Sequence, residues 1–389
     1  MTDDAGPALP LAGVRILDLS RYAPGLFASR LLADLGAEVV SVEAPRDAES
    51  DLPLYPTGAA RAAGTNPLFR HRRSIALDLR RPAGLEIVLD LIERSDVVIE
   101  GFRPGVADRI GVGFEAARTR NPAIVYCSVT GYGQRGDQAG RPGHDLNYVA
   151  ESGLLSHIAR GQEAPGIPSN FAADLAGGSL AAAFGIAAAL HGARQGVAQY
   201  VDVSMVRTIM TMLSLLAGMQ QVGNPDPAGG GGLLNGAAPF YRTYRTSDGA
   251  FIAVGALEPK FYQELCTRLG REDLIPLHLD VTAWPRMHAE LAEIFASGTR
   301  EHWSELLAAA AVTPVLTTSE AFARAGEIVT DGEPSRMRLF PGPAPADDRY
   351  SARRGSDTVA VLGELGRSRD DIDALLADGV VAAAVEAAD

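Results

Sequence analysis

A strand–helix–strand rhythm that repeats from Val14 to Val129 constrains this chain more than any other feature of its sequence. Val14-Arg15-Ile16-Leu17-Asp18-Leu19 is a short β-type run. Pro24 then opens a helical stripe of Leu26, Phe27, Leu31, Leu32 and Leu35, and Gly36 is placed to end it. Glu38 to Val42 is the next strand. Pro82 starts a second helix through Leu91, and Val97-Val98-Ile99 and Ala123 to Val129 read as further strands. Strands that alternate with helices in this way belong to a parallel sheet with helices on its faces. The chain is therefore predicted to be α/β, with a Rossmann-like parallel-sheet large domain.

The pattern changes downstream. A helical stretch after Met205 runs through Leu216 and gives way to Asn224-Pro225-Asp226-Pro227-Ala228 and the glycines Gly229 to Gly232, a linker by composition. Pro239 to Tyr244 is strand-like, Ser247-Asp248-Gly249 is a turn, and Phe251 to Val254 is a returning strand. Glu258-Pro259 begins a helix that Gly270 can close. The predicted organisation is the first part of the large domain over 1–205, a linker helix over 206–224, and a small α+β domain over 225–315. A return segment over 316–389 completes the large domain and ends in a helix around Asp370 to Ala377.

Several functions are disfavoured by what the chain carries and lacks. A formal charge of −13 argues against nucleic acid or an anionic membrane as a general partner. The first turn, Leu19-Ser20-Arg21-Tyr22-Ala23-Pro24-Gly25, lacks Gly-x-Gly-x-x-Gly, so the backbone cradle of a dinucleotide enzyme is missing. No Gly-x-Ser-x-Gly surrounds Ser152, Ser156 or Ser204, which leaves a hydrolase nucleophile unsupported. His144, Asp145 and Asp174 lack a fourth ligand at sensible spacing, so no metal is expected. Cys127 and Cys266 are far apart and make no redox or metal spacing. Met1-Thr2-Asp3-Asp4 has no basic or apolar leader character, and the apolar run Leu175 to Leu190 is shorter than a bilayer span. The expectation is a cytoplasmic protein with no membrane partner.

What the chain does offer is an imidazole and two carboxylates in unusual settings. Gly143-His144-Asp145 precedes Asp174-Leu175-Ala176-Gly177-Gly178-Ser179 by about one helix, and Glu258 stands in a different composition zone. Chemistry that takes a proton from one face of a carbon and returns it on the other needs such a pair. Each residue also has a plainer reading. His144 alone is more often structural, Asp174 can cap the apolar helix that follows it, and Glu258 can cap the helix at Pro259.

These segments resemble the α-methylacyl-CoA racemases, within the family III CoA-transferase (CaiB/BaiF) superfamily. The likeness is carried by Gly143-His144-Asp145-Leu146-Asn147-Tyr148, by Ala173-Asp174 with its Gly-Gly-Ser, and by Val254 to Tyr262. Leu31 to Val40, Arg72 to Leu79, Glu100-Gly101-Phe102-Arg103-Pro104-Gly105-Val106 and Asp108-Arg109-Ile110-Gly111 carry the superfamily marks. The resemblance runs from about Leu11 to the region of Pro345. It implies the family III CoA-transferase fold as an interlocked homodimer, whose site joins one subunit's large domain to its neighbour's small domain. It also implies inversion of the α-carbon of 2-methylacyl-CoA thioesters by two-base proton transfer through an enolate. His144 and Asp174 would then be the two acid/bases, Glu258 would orient His144, and the amide near Asp145 would face the thioester oxygen. Coenzyme A would arrive as part of the substrate, with no prosthetic group. Tyr22 and Leu77-Asp78-Leu79-Arg80 would lie against its nucleotide, and Gly101, Phe102 and Arg109 along its pyrophosphate and pantetheine. Arg70, Arg72, Arg73, Arg80, Arg81, Arg103 and Arg109 fit a locally basic patch, and Arg46 could hold the 3′-phosphate. The same fold supports a CoA-transferase, in which Asp174 would attack an acyl-CoA and form a mixed anhydride.

Overall fold

The computed structural model describes residues 9–45, 66–158, 165–222, 232–324, 339 and 352–384. Arg46, the segment 225–231 with most of the glycine run, and the first residues of the chain lie outside them. Two compact units emerge: one from Met1–Ser152, Pro168–Met212 and Arg336–Asp389, the other from Gly153–Ile167 and Leu213–Ser335.

The first unit is built on strands β1 (Arg15–Asp18), β2 (Glu38–Glu43), β3 (Arg72–Leu77), β4 (Val97–Glu100), β5 (Val125–Thr130) and β6 (Gln199–Ser204). They lie in the order β3-β2-β1-β4-β5-β6 and all pair in parallel. A two-residue strand Val381–Ala382, which becomes β10 once the second unit is numbered, adds antiparallel to the β3 edge. Alternate residues bury on opposite faces, as a parallel sheet covered on both sides requires. Leu17, Val98 and Tyr126 join one core with helix Pro82–Glu93, while Ile16, Val97, Ile99, Val125 and Cys127 join another with helices Ala23–Asp34 and Ala181–Ala193. The punctuation marks act as their chemistry dictates. Pro24 and Pro82 stand in the first turns of their helices, and Gly36 takes φ +101° at the turn into β2.

One expectation about this unit is corrected. The apolar run is part of a continuous helical stretch, Phe171–Ala193, of 23 residues, which is long and apolar enough to cross a membrane by length and composition. Its inner face, with Ala182 and Ile186, packs into the sheet core, while Phe171, Leu180 and Phe184 are exposed. A core helix of a sheet protein passes the same test.

The second unit holds a three-stranded antiparallel sheet of β7 (Tyr241–Arg245), β8 (Phe251–Gly255) and β9 (Val312–Pro314). Helices Pro259–Arg268 and Trp284–Ala296 pack on it around Phe240, Tyr262, Trp284, Phe295 and Trp303. The unit boundaries differ from the composition-based ones at three places. Residues 206–212 stay with the first unit, whereas Gly153–Ile167 and residues 316–335 group with the second. Helix Leu154–Ile158 buries none of its residues, so it gives no core signal in the sequence. The segment after β9 is fastened by Arg300, which donates to Val315 O at 2.9 Å and pairs with Glu320 at 2.6 Å.

Candidate active site

Strand order places the first crevice. The chain leaves β1 toward β2 on one side and returns to β1 from the other side at β4, so the loops after these two strands diverge at a topological switch point. Tyr22 follows β1 there and is half exposed, and Gly101 and Phe102 follow β4. The β4 loop is held by Glu100, whose carboxylate accepts the Phe102 N–H at 2.7 Å. Burial pushes the Glu100 carboxyl up to about 7, with Asp108 and Asp202 adding like charge against the Ser128 and Phe102 bonds.

Beyond β5 the chain enters the turn that carries His144. The Tyr148 ring closes over Gly131 and Gly143, where an added Cβ would come within 2.2 and 2.6 Å of it, so glycine is required for the close approach. Its hydroxyl donates to Gly143 O at 2.6 Å. One residue later His144 forms the N-cap of helix Asp145–Glu151, and the Asn147 side-chain oxygen accepts its N–H at 3.0 Å. His144 is exposed, with its backbone pinned on both sides. The first amides of that helix, Asp145 N–H among them, have no intrahelical acceptor and can serve an oxyanion.

Asp145 itself is buried at 7% exposure and turns its side chain the other way. Its Oδ1 accepts the amides of Ala173 and Asp174, each at 2.8 Å. This overturns the capping reading of Asp174: Asp145 serves the start of that helix, and the Asp174 carboxylate is left for other work. Asp174 sits, half-buried, in the first turn of the π-helical segment Phe171–Leu180. Burial raises its carboxyl to about 6, with the Asp145 charge adding to the rise, while Asn170 and His144 pull it down. His144 and Asp174 are thus brought within electrostatic reach of one another. Gly177 and Gly178 let this segment dock against Met205 and Pro24, and Ser179 Oγ, fully buried, lies 2.8 Å from Pro24 O and 3.1 Å from Asp174 O.

Glu258 lies in the second unit, at the N-cap of helix Pro259–Arg268. It is exposed and makes no side-chain capping bond, so the plain capping reading has no hydrogen bond behind it.

The expected nucleotide contacts divide. Leu77 is buried in the sheet core, so its side chain is unavailable to a ligand, and Leu79 packs partly on the same core. The two-pronged bond from Arg80, whose side chain is otherwise exposed, lowers the Asp78 carboxyl from its ordinary value. The basic patch also shrinks. Arg72 is buried against Asp18 at 3.0 Å, Ser41 and Leu26 O, and Arg73 pairs with Glu364. Among the described residues Arg81, Arg103 and Arg109 make no ion pair within 4 Å, although Arg81 lies close enough to Asp78 to lower its carboxyl. No group of three or more His, Cys, Asp or Glu is placed to hold a metal among the described residues.

Comparison with known proteins decides the family. The model of CoA-transferase family III matches residues 11–333. This chain belongs to CoA-transferase family III. It is 39% identical over 388 residues to the α-methylacyl-CoA racemase of Mus musculus, covering 95% of this chain and 97% of that one. It is 30% identical to the succinyl-CoA:glutarate CoA-transferase of Homo sapiens, over 96% of this chain and 90% of that protein. A crystal structure of a CAIB/BAIF family protein from Brucella suis matches 92% of this chain with a TM-score of 0.77 and 25% identity, over 100% of that chain.

Asn147, Tyr148 and Asn170 had no assigned part in the sequence reading. Asn147 was within reach of it, since a polar residue three positions after an N-cap is the mark of a capping box. Tyr148 and Asn170 had no such local signal.

Proposed function

We propose that this family III enzyme is an acyl-CoA racemase that inverts the α-carbon of 2-methylacyl-CoA thioesters. The observation that carries this reading is the meeting of His144 with an Asp174 whose carboxyl is raised to about 6. A carboxyl poised there exchanges protons near neutral pH, which suits an acid/base better than a carboxylate at its ordinary value. The similarity to a racemase over nearly the whole chain supports it.

In this mechanism one of the two groups removes the α-proton, and the C–H electron pair becomes the C=C bond of an enolate. The negative charge moves to the thioester oxygen, where the Asp145 N–H stabilises it. The other group, protonated beforehand, delivers its proton to the opposite face of the carbon. The two side chains end with protonation states exchanged. Glu258 as the partner that orients His144 and stabilises its imidazolium form belongs to the same proposal, by analogy with the acid that orients the histidine of hydrolase triads. Arg103 and Arg109 would meet the phosphates of coenzyme A.

Deuterium entry at Cα of a 2-methylacyl-CoA in D2O is the expected outcome. His144→Ala and Asp174→Ala should each depress exchange from one enantiomer by about 10²–10⁴-fold while the other is less affected. Equal, slight losses for both enantiomers would overturn two-base chemistry. Exchange begun by Asp174 as base should fall as pH drops through about 6, because the raised carboxyl is protonated below that value.

The transferase reading is favoured by one finding, the similarity to a succinyl-CoA:glutarate CoA-transferase. It predicts hydroxylamine trapping of an acyl group on Asp174 and movement of CoA to a free acid, with no α-exchange.

A further inference from the structure

We infer that the Asp145 side chain is a positioning residue that ties the His144 turn to the Asp174 turn and so sets the spacing of the two bases. The roles of His144 and Asp174 rest on the racemase reading, but the tie itself does not. Asp145 is covalently next to His144, and its Oδ1 accepts both the Ala173 and Asp174 amides at 2.8 Å. A helix start leaves its first amides without internal acceptors, so one carboxylate oxygen fixes the Asp174 backbone to the residue beside the imidazole.

The other oxygen argues that this is more than a cap. Oδ2 is buried and accepts no hydrogen bond among the described residues. An ordinary cap exposes its spare oxygen to water, and a buried unpartnered one costs stability. The charge kept there has an effect on its neighbour: it is the second cause of the high Asp174 carboxyl, after burial. His144 and Asn170 oppose it, and the nearby Tyr148 phenol, raised to about 12 chiefly by burial, stays neutral. Asp145 therefore holds Asp174 in place and keeps it easy to protonate.

Asp145→Asn and Asp145→Ala separate these effects. The Asn variant keeps an acceptor oxygen and drops the charge. It should lose less turnover at pH 8 than the Ala variant does, and the acid limb of Asp174-initiated exchange should move to lower pH. The Ala variant should lose about 10²-fold in turnover from both enantiomers. Amide hydrogen exchange at Ala173 and Asp174 gives a readout independent of activity: protection should be lost in Asp145→Ala and kept in Asp145→Asn. Equal inactivity of both variants at pH 8 would overturn the inference, since the carboxylate would then act in the chemistry. Unchanged amide protection in Asp145→Ala would also overturn it. If the unaltered protein shows no α-exchange, the racemase reading fails, while the amide measurement still judges the tie.

Discussion

Helices Asp145–Glu151 and Pro259–Arg268 both begin at a candidate site residue, and their starts are built to different standards. At the first, His144 is held by Asn147 through its own amide and by Tyr148 through the preceding carbonyl, with Asp145 anchored beneath to the Asp174 turn. At the second, Glu258 is exposed, its side chain makes no capping bond, and Pro259 stands in the first turn. A group that must present a proton to a carbon within tenths of an ångström needs its backbone fixed. A carboxylate that only steadies an imidazole can remain on a solvated rim until it is engaged. The contrast is what the proposed division of labour between His144 and Glu258 would require.

Three substitutions test that division. The largest effect is expected from Glu258→Gln, which should lower exchange begun by His144 on the order of 10²-fold and leave exchange begun by Asp174 nearly intact, read separately with each enantiomer. Equal loss for both enantiomers would place Glu258 among the general structural residues. Tyr148→Phe removes one hydroxyl while keeping the ring over Gly131 and Gly143. It should cost about tenfold in turnover, the worth of a single hydrogen bond, with substrate KM steady. No change in turnover would show that the Gly143 carbonyl needs no anchor. Asn147→Ala should be mildest, lowering unfolding stability by about 1 kcal/mol with only a small kinetic effect. A thermal melt that does not move would remove the capping bond from the account.

Much of the scaffold was legible because its signals are local. Pro24, Gly36, Pro82 and Gly270 mark turns and helix starts within a few residues of where they stand, and the apolar runs between them became β1, β2, β4 and β5. The edge strand β10 and its pairing with β3 were not legible, since a two-residue strand has no pattern and its partner lies some three hundred residues away. The site shows the same split. His144, Asp174 and Glu258 stand out by residue type and setting, but the work of Asp145 does not. Its bonds reach 28 and 29 residues along the chain, and only the folded sheet brings the two turns together. Arg72 erred for the same reason: among neighbouring arginines it looks like a phosphate ligand, yet its true partner is Asp18, 54 positions earlier.

The π-helical winding of Phe171–Leu180 has a bearing on how such a site can change. Leu175 donates its amide five residues back, to Asn170 O, so the hydrogen-bonded turn spans one residue more than in an α-helix. Deleting a single residue between Asn170 and Asp174 would let the turn relax to ordinary winding and shorten the reach from Asn170 to the Asp174 position to three residues. Chain length within this turn, as well as side-chain identity, therefore sets where the carboxylate stands relative to Asn170.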